Sequence, residues 1–108
     1  MDFYIRFLHH TLVIRVYGAF DYSKSLKLQE FFQGSKIVKY SNVLFDFTSV
    51  TTIDTSGVGL ILSLAQQVKK RGGRIRMVNA SPHLRDTLEF ARTSGLEAVR
   101  FSKDTFPG

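Results

Sequence analysis

Cysteine is absent from this chain, which excludes disulfides, a thiolate nucleophile and cysteine-based metal sites. No apolar run approaches the roughly 20 residues that a membrane-spanning helix needs. The N-terminus, which reads Met1-Asp2-Phe3-Tyr4, also lacks the basic segment and apolar core of a signal peptide. Together these absences predict a cytoplasmic protein.

The composition is that of one folded domain. The chain has 108 residues, of which 44% are hydrophobic, including 10 Phe and 4 Tyr. This apolar content is sufficient for a core, and the length leaves little room for a second domain. No internal repeat, linker or low-complexity segment interrupts the sequence. We therefore expect a single domain over residues 1–108, with a frayed tail at about 102–108.

Short β-rich runs alternate with amphipathic segments along the chain. The predicted strands are 3–8, 12–17, 43–47, 74–78 and 98–101, and the predicted helices are 22–32, a segment that ends at Gly72, and 82–91. The stretches 18–21 and 48–52 are interpreted as turns. This alternation predicts an α/β fold, with a mostly parallel sheet of four to five strands, an antiparallel edge and three main helices.

Apolar residues in each predicted helix recur at spacings of three and four, which predicts one face buried against the sheet. The inward faces are predicted to be Leu26, Leu28, Phe31 and Phe32 in the first helix, Val58, Ile61, Leu62, Ala65 and Val68 in the second, and Leu84, Leu88 and Ala91 in the third. The near-continuous apolar strand at 43–47 favours a sheet that is covered on both faces.

The heptad Ile53-Asp54-Thr55-Ser56-Gly57-Val58-Gly59 stands where a strand must turn into a helix. The first turn of a helix has unpaired backbone N–H groups and the positive end of the helix dipole, so it favours anions. A surface hydroxyl there is well placed to receive a phosphate, which those N–H groups could then bind. The simpler interpretation is a capped helix start, in which Asp54 or Thr55 satisfies the N–H groups and the glycines allow close packing.

The order and spacing of several motifs resemble those of the STAS family, specifically the bacterial anti-sigma factor antagonists. The resemblance covers nearly the whole chain. Its most specific part is the strand Val43-Leu44-Phe45-Asp46-Phe47 followed by the heptad and its helix. Further matches are Gly18-Ala19-Phe20-Asp21, Gly72-Gly73-Arg74-Ile75 and Val78-Asn79-Ala80-Ser81-Pro82.

This resemblance implies regulatory binding rather than catalysis, and no metal or cofactor. A family member of this kind captures an anti-sigma factor that is also a serine kinase, is released when phosphorylated, and is restored by a serine phosphatase. The match places the phosphoacceptor at Ser56, with Thr55 as the rival hydroxyl. The partner-binding residues carried over are Asp21, Asp54, Thr55, Ser56, Gly57, Val58 and Gly59. For Asp21, a helix cap and a partner contact are equally open.

Three other functions compete with this one. A STAS subunit of a membrane lipid-transport complex would use the same helix for permanent docking, with Ser56 structural. An enzyme is disfavoured, because His9, His10 and His83 lie apart from the heptad and no metal spacing or P-loop is present. A phosphorylated receiver domain is set aside, because the acidic pair after the first strand is missing.

The formal net charge is +6, and a basic cluster at Lys69, Lys70, Arg71, Arg74 and Arg76 contributes much of it. Such a cluster could contact nucleic acid, acidic lipid or an acidic protein. We favour a solvated helix end, because cations there oppose the negative end of the helix dipole. Direct nucleic-acid binding is not expected, since no aromatic residues are interleaved for base stacking. Members of the family usually carry a further helix that we do not expect after Phe101, and an apolar patch left exposed there could support a homodimer.

Overall fold

The computed structural model describes residues 2–34, 42–92 and 99–101, in which an N-terminal hairpin is followed by alternating helices and strands. The strands are β1 (Phe3–Leu8), β2 (Thr11–Val16), β3 (Gly18–Phe20), β4 (Asn42–Asp46), β5 (Val50–Ile53), β6 (Arg74–Val78) and β7 (Val99–Phe101). The helices are α1 (Tyr22–Gly34), α2 (Thr55–Lys69) and α3 (Pro82–Arg92). The predicted α/β fold is confirmed.

The main sheet has five strands in the order β1-β2-β4-β6-β7. Strand β1 pairs antiparallel with β2, and every other neighbouring pair is parallel. The carboxyl ends of β2, β4, β6 and β7 therefore lie along one edge of the sheet, which we call the carboxyl edge. Helix α3 follows β6, and α1 and α2 follow β2 and β4 after the short strands β3 and β5, so the helix N-termini come after strands that end at this edge.

The main core lies between the helices and one face of this sheet. It includes Leu12, Ile14, Phe45, Ile75 and Met77 from the strands and residues from all three helices. In α2 the buried residues are Gly57, Ile61, Leu64, Ala65 and Val68. Val58 and Leu62 are only partly buried. The predicted stripe thus faces the core as expected, but it omitted the buried Leu64.

A smaller cluster occupies the opposite face of the sheet. Val13, Leu44 and Val78 are buried there, and Leu8 packs against them. Every described helix residue that is buried and apolar belongs to the main core instead. The expectation of a sheet covered on both faces is thus confirmed in part: Val13, Leu44 and Val78 are buried on the opposite face, but the described helices all pack on the other one.

Strands β3 and β5 were not predicted, because 18–21 and 48–52 were interpreted as turns. The two segments pair in parallel as a separate small sheet, with Gly18 opposite Val50 and Phe20 opposite Ile53. Each has only three or four residues, too few for a period-2 pattern to emerge from the sequence. Their pairing partner is distant in the chain, so only the tertiary structure makes them strands.

Other boundaries agree closely with the sequence. Strands 3–8 and 74–78 are confirmed, and Gly72 has a φ of +75° in the turn that follows α2. The tail at 102–108, the connection at 36–41 and the side chain of Ala91 lie outside the described residues. None of the helices in the described part of the chain is long and apolar enough to cross a bilayer.

Candidate functional site

The small β3–β5 sheet places the starts of α1 and α2 side by side. Phe20 pairs with Ile53, and the Asp54 N–H donates to the Phe20 carbonyl at 3.2 Å. Asp21 and Asp54 are therefore the next residues of two neighbouring parallel segments. Asp21 accepts a hydrogen bond from the Lys24 N–H at 3.2 Å, as an N-cap of α1 does. The structure thus brings together two acidic residues that are 33 positions apart in the sequence.

Asp54 is the N-cap of α2, and Thr55 is the first helical residue. The Asp54 carboxylate accepts from the N–H groups of Ser56 at 2.8 Å and Gly57 at 3.0 Å, and its backbone is extended, as a cap requires. The alternative cap, Thr55, was therefore wrong. The expectation that N–H groups of this turn would receive a phosphate stays a prediction, and in this structure Asp54 occupies two of them. A phosphate on Ser56 would have to displace Asp54 or point away from the helix end.

The two glycines of the heptad have different surroundings. Gly57 is buried, and a Cβ there would lie 2.7 Å from the Phe20 carbonyl oxygen and 2.8 Å from Ile53 Cγ1. Gly59 is exposed, and a Cβ there would meet no atom within 4 Å. Gly57 thus allows α2 to approach β3 closely. Gly59 leaves open space on the outer side of α2.

A groove of about 290 Å³ lies between α1 and α2 and includes Ser56. The side chains that line it carry no formal charge: they are Tyr22, Ser25, Leu26 and Gln29 from α1, and Ser56, Gly59, Leu60 and Ser63 from α2. Tyr22 is 65% exposed and Leu26 is 39% exposed. Thr55 is exposed but is not part of this lining. The arrangement can receive an uncharged, partly apolar surface against the Ser56 hydroxyl.

The residues that α1 contributes to this groove were not identified from the sequence. Leu26 was assigned to the buried stripe, whereas the structure leaves it half exposed beside Tyr22, which is four residues earlier. That spacing puts the two side chains on the same side of the helix. It was the signal in the sequence from which the α1 side of the groove could have been identified. Ser25 was missed as well. Its Oγ is buried and makes no hydrogen bond to any of the described residues.

A buried carboxylate, Asp46, ties the carboxyl ends of three strands together. It is 1% exposed and accepts from Arg15 Nε at 3.0 Å and Nη2 at 2.7 Å. It also accepts from the Thr48 N–H at 2.9 Å and from Asn79 Nδ2 at 3.1 Å. Thr48 begins the loop that leads to β5 and then to Asp54 and Ser56. The network thus holds the start of the loop that leads to the candidate site.

Burial disfavours the charged form of Asp46, but the hydrogen bonds from Thr48, Asn79 and Arg15 outweigh it and hold the pKa of this carboxyl below its usual range. We expect Asp46→Asn to lower the free energy of unfolding by about 2 kcal/mol, because it loses charge-assisted hydrogen bonds. Urea denaturation of both proteins at neutral pH measures this difference.

The pH dependence supplies the control. A depressed folded-state pKa stabilises the protein above the unfolded-state pKa, and this contribution disappears as the pH falls through the folded value. Below about pH 4 the wild type should therefore lose stability more steeply than Asp46→Asn. Parallel stability curves for the two proteins across this range would contradict the role assigned to the carboxylate.

Comparison with known proteins gives a consistent set of relatives. The family model described as STAS domain matches residues 3–104. An anti-sigma F factor antagonist from Lysinibacillus sphaericus is 27% identical over 86 residues, which cover 75% of this chain and 70% of that protein.

Solved structures with the same fold include SpoIIAA in two forms. The structure of the unphosphorylated anti-sigma factor antagonist SpoIIAA has a TM-score of 0.73 and 24% identity, covering 95% of this chain and 89% of that one. The phosphorylated form, described as a Bacillus cell fate determinant, has a TM-score of 0.71 and 26% identity, covering 94% and 92%. The STAS domain of a SulP transporter from Vibrio cholerae shares the fold at a TM-score of 0.63 and 15% identity, covering 88% and 76%.

Proposed function

The chain belongs to the STAS domain family, and from that premise we propose that it is a cytoplasmic bacterial anti-sigma factor antagonist. In this proposal the whole chain acts as one binding domain. Its partner is an anti-sigma factor that is also a serine kinase, and a serine phosphatase acts on the modified form. The relatives at 26% and 27% identity, which are named as a phosphorylated SpoIIAA and an anti-sigma factor antagonist, support this assignment.

The observation that carries the proposal is the position of Ser56 in the groove between α1 and α2. Ser56 belongs to an uncharged surface that includes the exposed side chains of Tyr22 and Leu26. The unphosphorylated domain binds the kinase through this surface. Aromatic and apolar residues of this kind supply much of the affinity in protein interfaces.

Phosphorylation would weaken the binding of the partner to this surface. A phosphate adds a charge of about −1.5 to −2 at pH 7, and the two nearest helix N–H groups already donate to Asp54. The phosphate therefore extends towards the groove, where a docked partner would desolvate it. The neighbouring carboxylates of Asp21 and Asp54 would also repel this phosphate. The switch needs no refolding of the domain, because the change is local.

The remaining heptad residues divide into a frame and a contact surface. Asp54 caps α2 and fixes the direction of its first turn. Gly57 packs against Phe20, and Val58 is partly buried in the core. A partner can therefore contact only the exposed part of each residue. Gly59 has open space above it and lets a partner approach α2. Thr55 lies beside Ser56 but outside the groove.

The alternative function is a STAS subunit of a membrane lipid-transport complex, in which the groove would be occupied permanently. The transporter-derived STAS domain supports only the shared fold. An acceptor hydroxyl in the groove favours the switchable antagonist. The homodimer expected from the sequence stays a prediction.

The test is phosphorylation by a cognate anti-sigma factor kinase with ATP. We expect one phosphate on Ser56, measured by intact-mass and fragment spectra, and none on the Ser56→Ala variant. Thr55→Ala should be phosphorylated as the wild type is, because Thr55 is not part of the groove. Phosphate found only on Thr55, or no phosphate in any of the three proteins, would refute the assignment of the acceptor.

A further inference from the structure

The basic cluster predicted from the sequence lies at the end of the molecule opposite Ser56. Lys69 ends α2, Lys70 and Arg71 follow it, and Arg74 begins β6. All four side chains are exposed. A helix rises about 1.5 Å per residue, which places Lys69 roughly 20 Å from Ser56 along α2.

An exposed aromatic ring lies at the same end. The register aligns Leu8, Thr11, Asn42 and Arg74 in one row across the sheet. Phe7 precedes Leu8 at this end of β1 and is 56% exposed. The side chain of Phe7 belongs to the helix-covered side of the sheet, because Phe7 pairs with the core residue Leu12. Three strand spacings, about 14 Å, separate Phe7 from Arg74.

Four of the described carboxylates lie far from this cationic end. Asp2, Asp21, Asp46 and Asp54 all lie near the carboxyl edge, at the starts of β1, α1 and α2 and at the end of β4. Three other described carboxylates lie outside this group: Glu30 in the second half of α1, and Asp86 and Glu89 in α3. The far end is strongly cationic. We call it the basic end and define it by Phe7, Lys69, Lys70, Arg71 and Arg74.

We propose that the basic end binds the surface of an anionic lipid bilayer. Cations at headgroup level attract acidic lipids, and each contributes roughly a fivefold gain in partitioning. An exposed Phe among them can insert its ring at the boundary of the acyl chains, as apolar residues of interfacial proteins do. A nucleic acid would require a stacking platform of several aromatic rings, and the described residues of the basic end offer one ring at its margin.

This inference goes beyond the proposed function and does not rest on it. The Debye length at physiological salt is about 8 Å, well short of the distance along α2, so a charge at Ser56 has little effect on the basic end. The groove and the basic end therefore act independently. A domain held at a membrane by its basic end would still present the groove to a partner from the opposite end.

Sedimentation with lipid vesicles tests the proposal on the full chain. Vesicles of phosphatidylcholine with about one-third phosphatidylglycerol should bind the protein, those of phosphatidylcholine alone should not, and high salt should abolish binding. Lys70→Glu combined with Arg71→Glu should weaken binding by roughly 30-fold or more. Phe7→Ser should weaken it by roughly tenfold, because a half-exposed ring loses its insertion into the bilayer.

Two controls separate this surface from net charge and from the switch. Lys27→Glu with Arg85→Glu changes the net charge equally but away from the basic end, and it should bind anionic vesicles nearly as the wild type does. Ser56→Asp should also bind them normally, whatever happens to kinase binding. The proposal fails if both charge-reversed pairs lose binding equally, or if Lys70→Glu/Arg71→Glu binds as the wild type. It also fails if soluble polyglutamate binds as tightly as the vesicles and Phe7→Ser has no effect.

Discussion

Ser56→Asp is expected to weaken binding to a cognate anti-sigma factor kinase at least a hundredfold while the domain stays folded. The substitution puts a carboxylate into a groove whose lining side chains are all uncharged. A docked partner would strip water from this charge without supplying a counter-ion, and burying an unpaired charge is costly. A net cost of about 3 kcal/mol already corresponds to a hundredfold loss of affinity.

The local geometry strengthens this expectation. A carboxylate at position 56 cannot easily be neutralised by the helix start, because the N–H groups of Ser56 and Gly57 already donate to Asp54. The Asp54 carboxylate itself repels a second negative charge. The domain should nevertheless remain folded, since Ser56 is half exposed and lies outside the core.

Isothermal titration calorimetry with the kinase measures the effect, and thermal denaturation confirms the fold. The matched control is Ser56→Asn, which has nearly the size of Asp but no charge and should bind within a few-fold of the wild type. Thr55→Asp is the positional control, and it should weaken binding less than Ser56→Asp because Thr55 lies outside the groove. Equal affinities for Ser56→Asp and Ser56→Asn would rule out an electrostatic switch.

Gly57→Ala is expected to lower the free energy of unfolding by about 3 kcal/mol. The added methyl group would lie 2.7 Å from the Phe20 carbonyl oxygen, 2.8 Å from Ile53 Cγ1 and 3.0 Å from Phe20 Cδ1. The first of these atoms belongs to the backbone of β3, so it cannot move away as the end of a flexible side chain could. Overpacking of this kind costs about 1–3 kcal/mol or more, which exceeds the gain in helix propensity of Ala over Gly.

Gly59→Ala is the matched control on the same helix. Nothing lies within 4 Å of the added methyl group, so the substitution should stabilise the domain by up to about 1 kcal/mol through helix propensity alone. Urea denaturation of both variants gives the comparison. If the two substitutions changed the free energy of unfolding equally, the close approach of α2 to Phe20 would not have the importance that the structure assigns to it.

The sequence predicted most strands of the main sheet and the buried stripe of α2, because strands such as 74–78 and the stripe of α2 carry a periodicity that local interactions decide. It did not predict β3 and β5. Each is too short to show a period, and each is a strand only because the other lies beside it. The same limit explains Leu26: its spacing fits a buried stripe, but whether that side of α1 meets the core or the groove depends on the crossing of α1 and α2.

Within the heptad, the sequence by itself determined that a strand end, a cap, a hydroxyl and two glycines would meet at a helix start. It could not decide between Asp54 and Thr55 as the cap, since both residue types accept from N–H groups. Nor could it distinguish the two glycines, whose backbones are equally permissive but whose surroundings are not. Only the tertiary structure assigned these roles. The pairing of β3 with β5 brings Phe20 against Gly57, and the packing of α1 beside α2 makes Ser56 part of a groove.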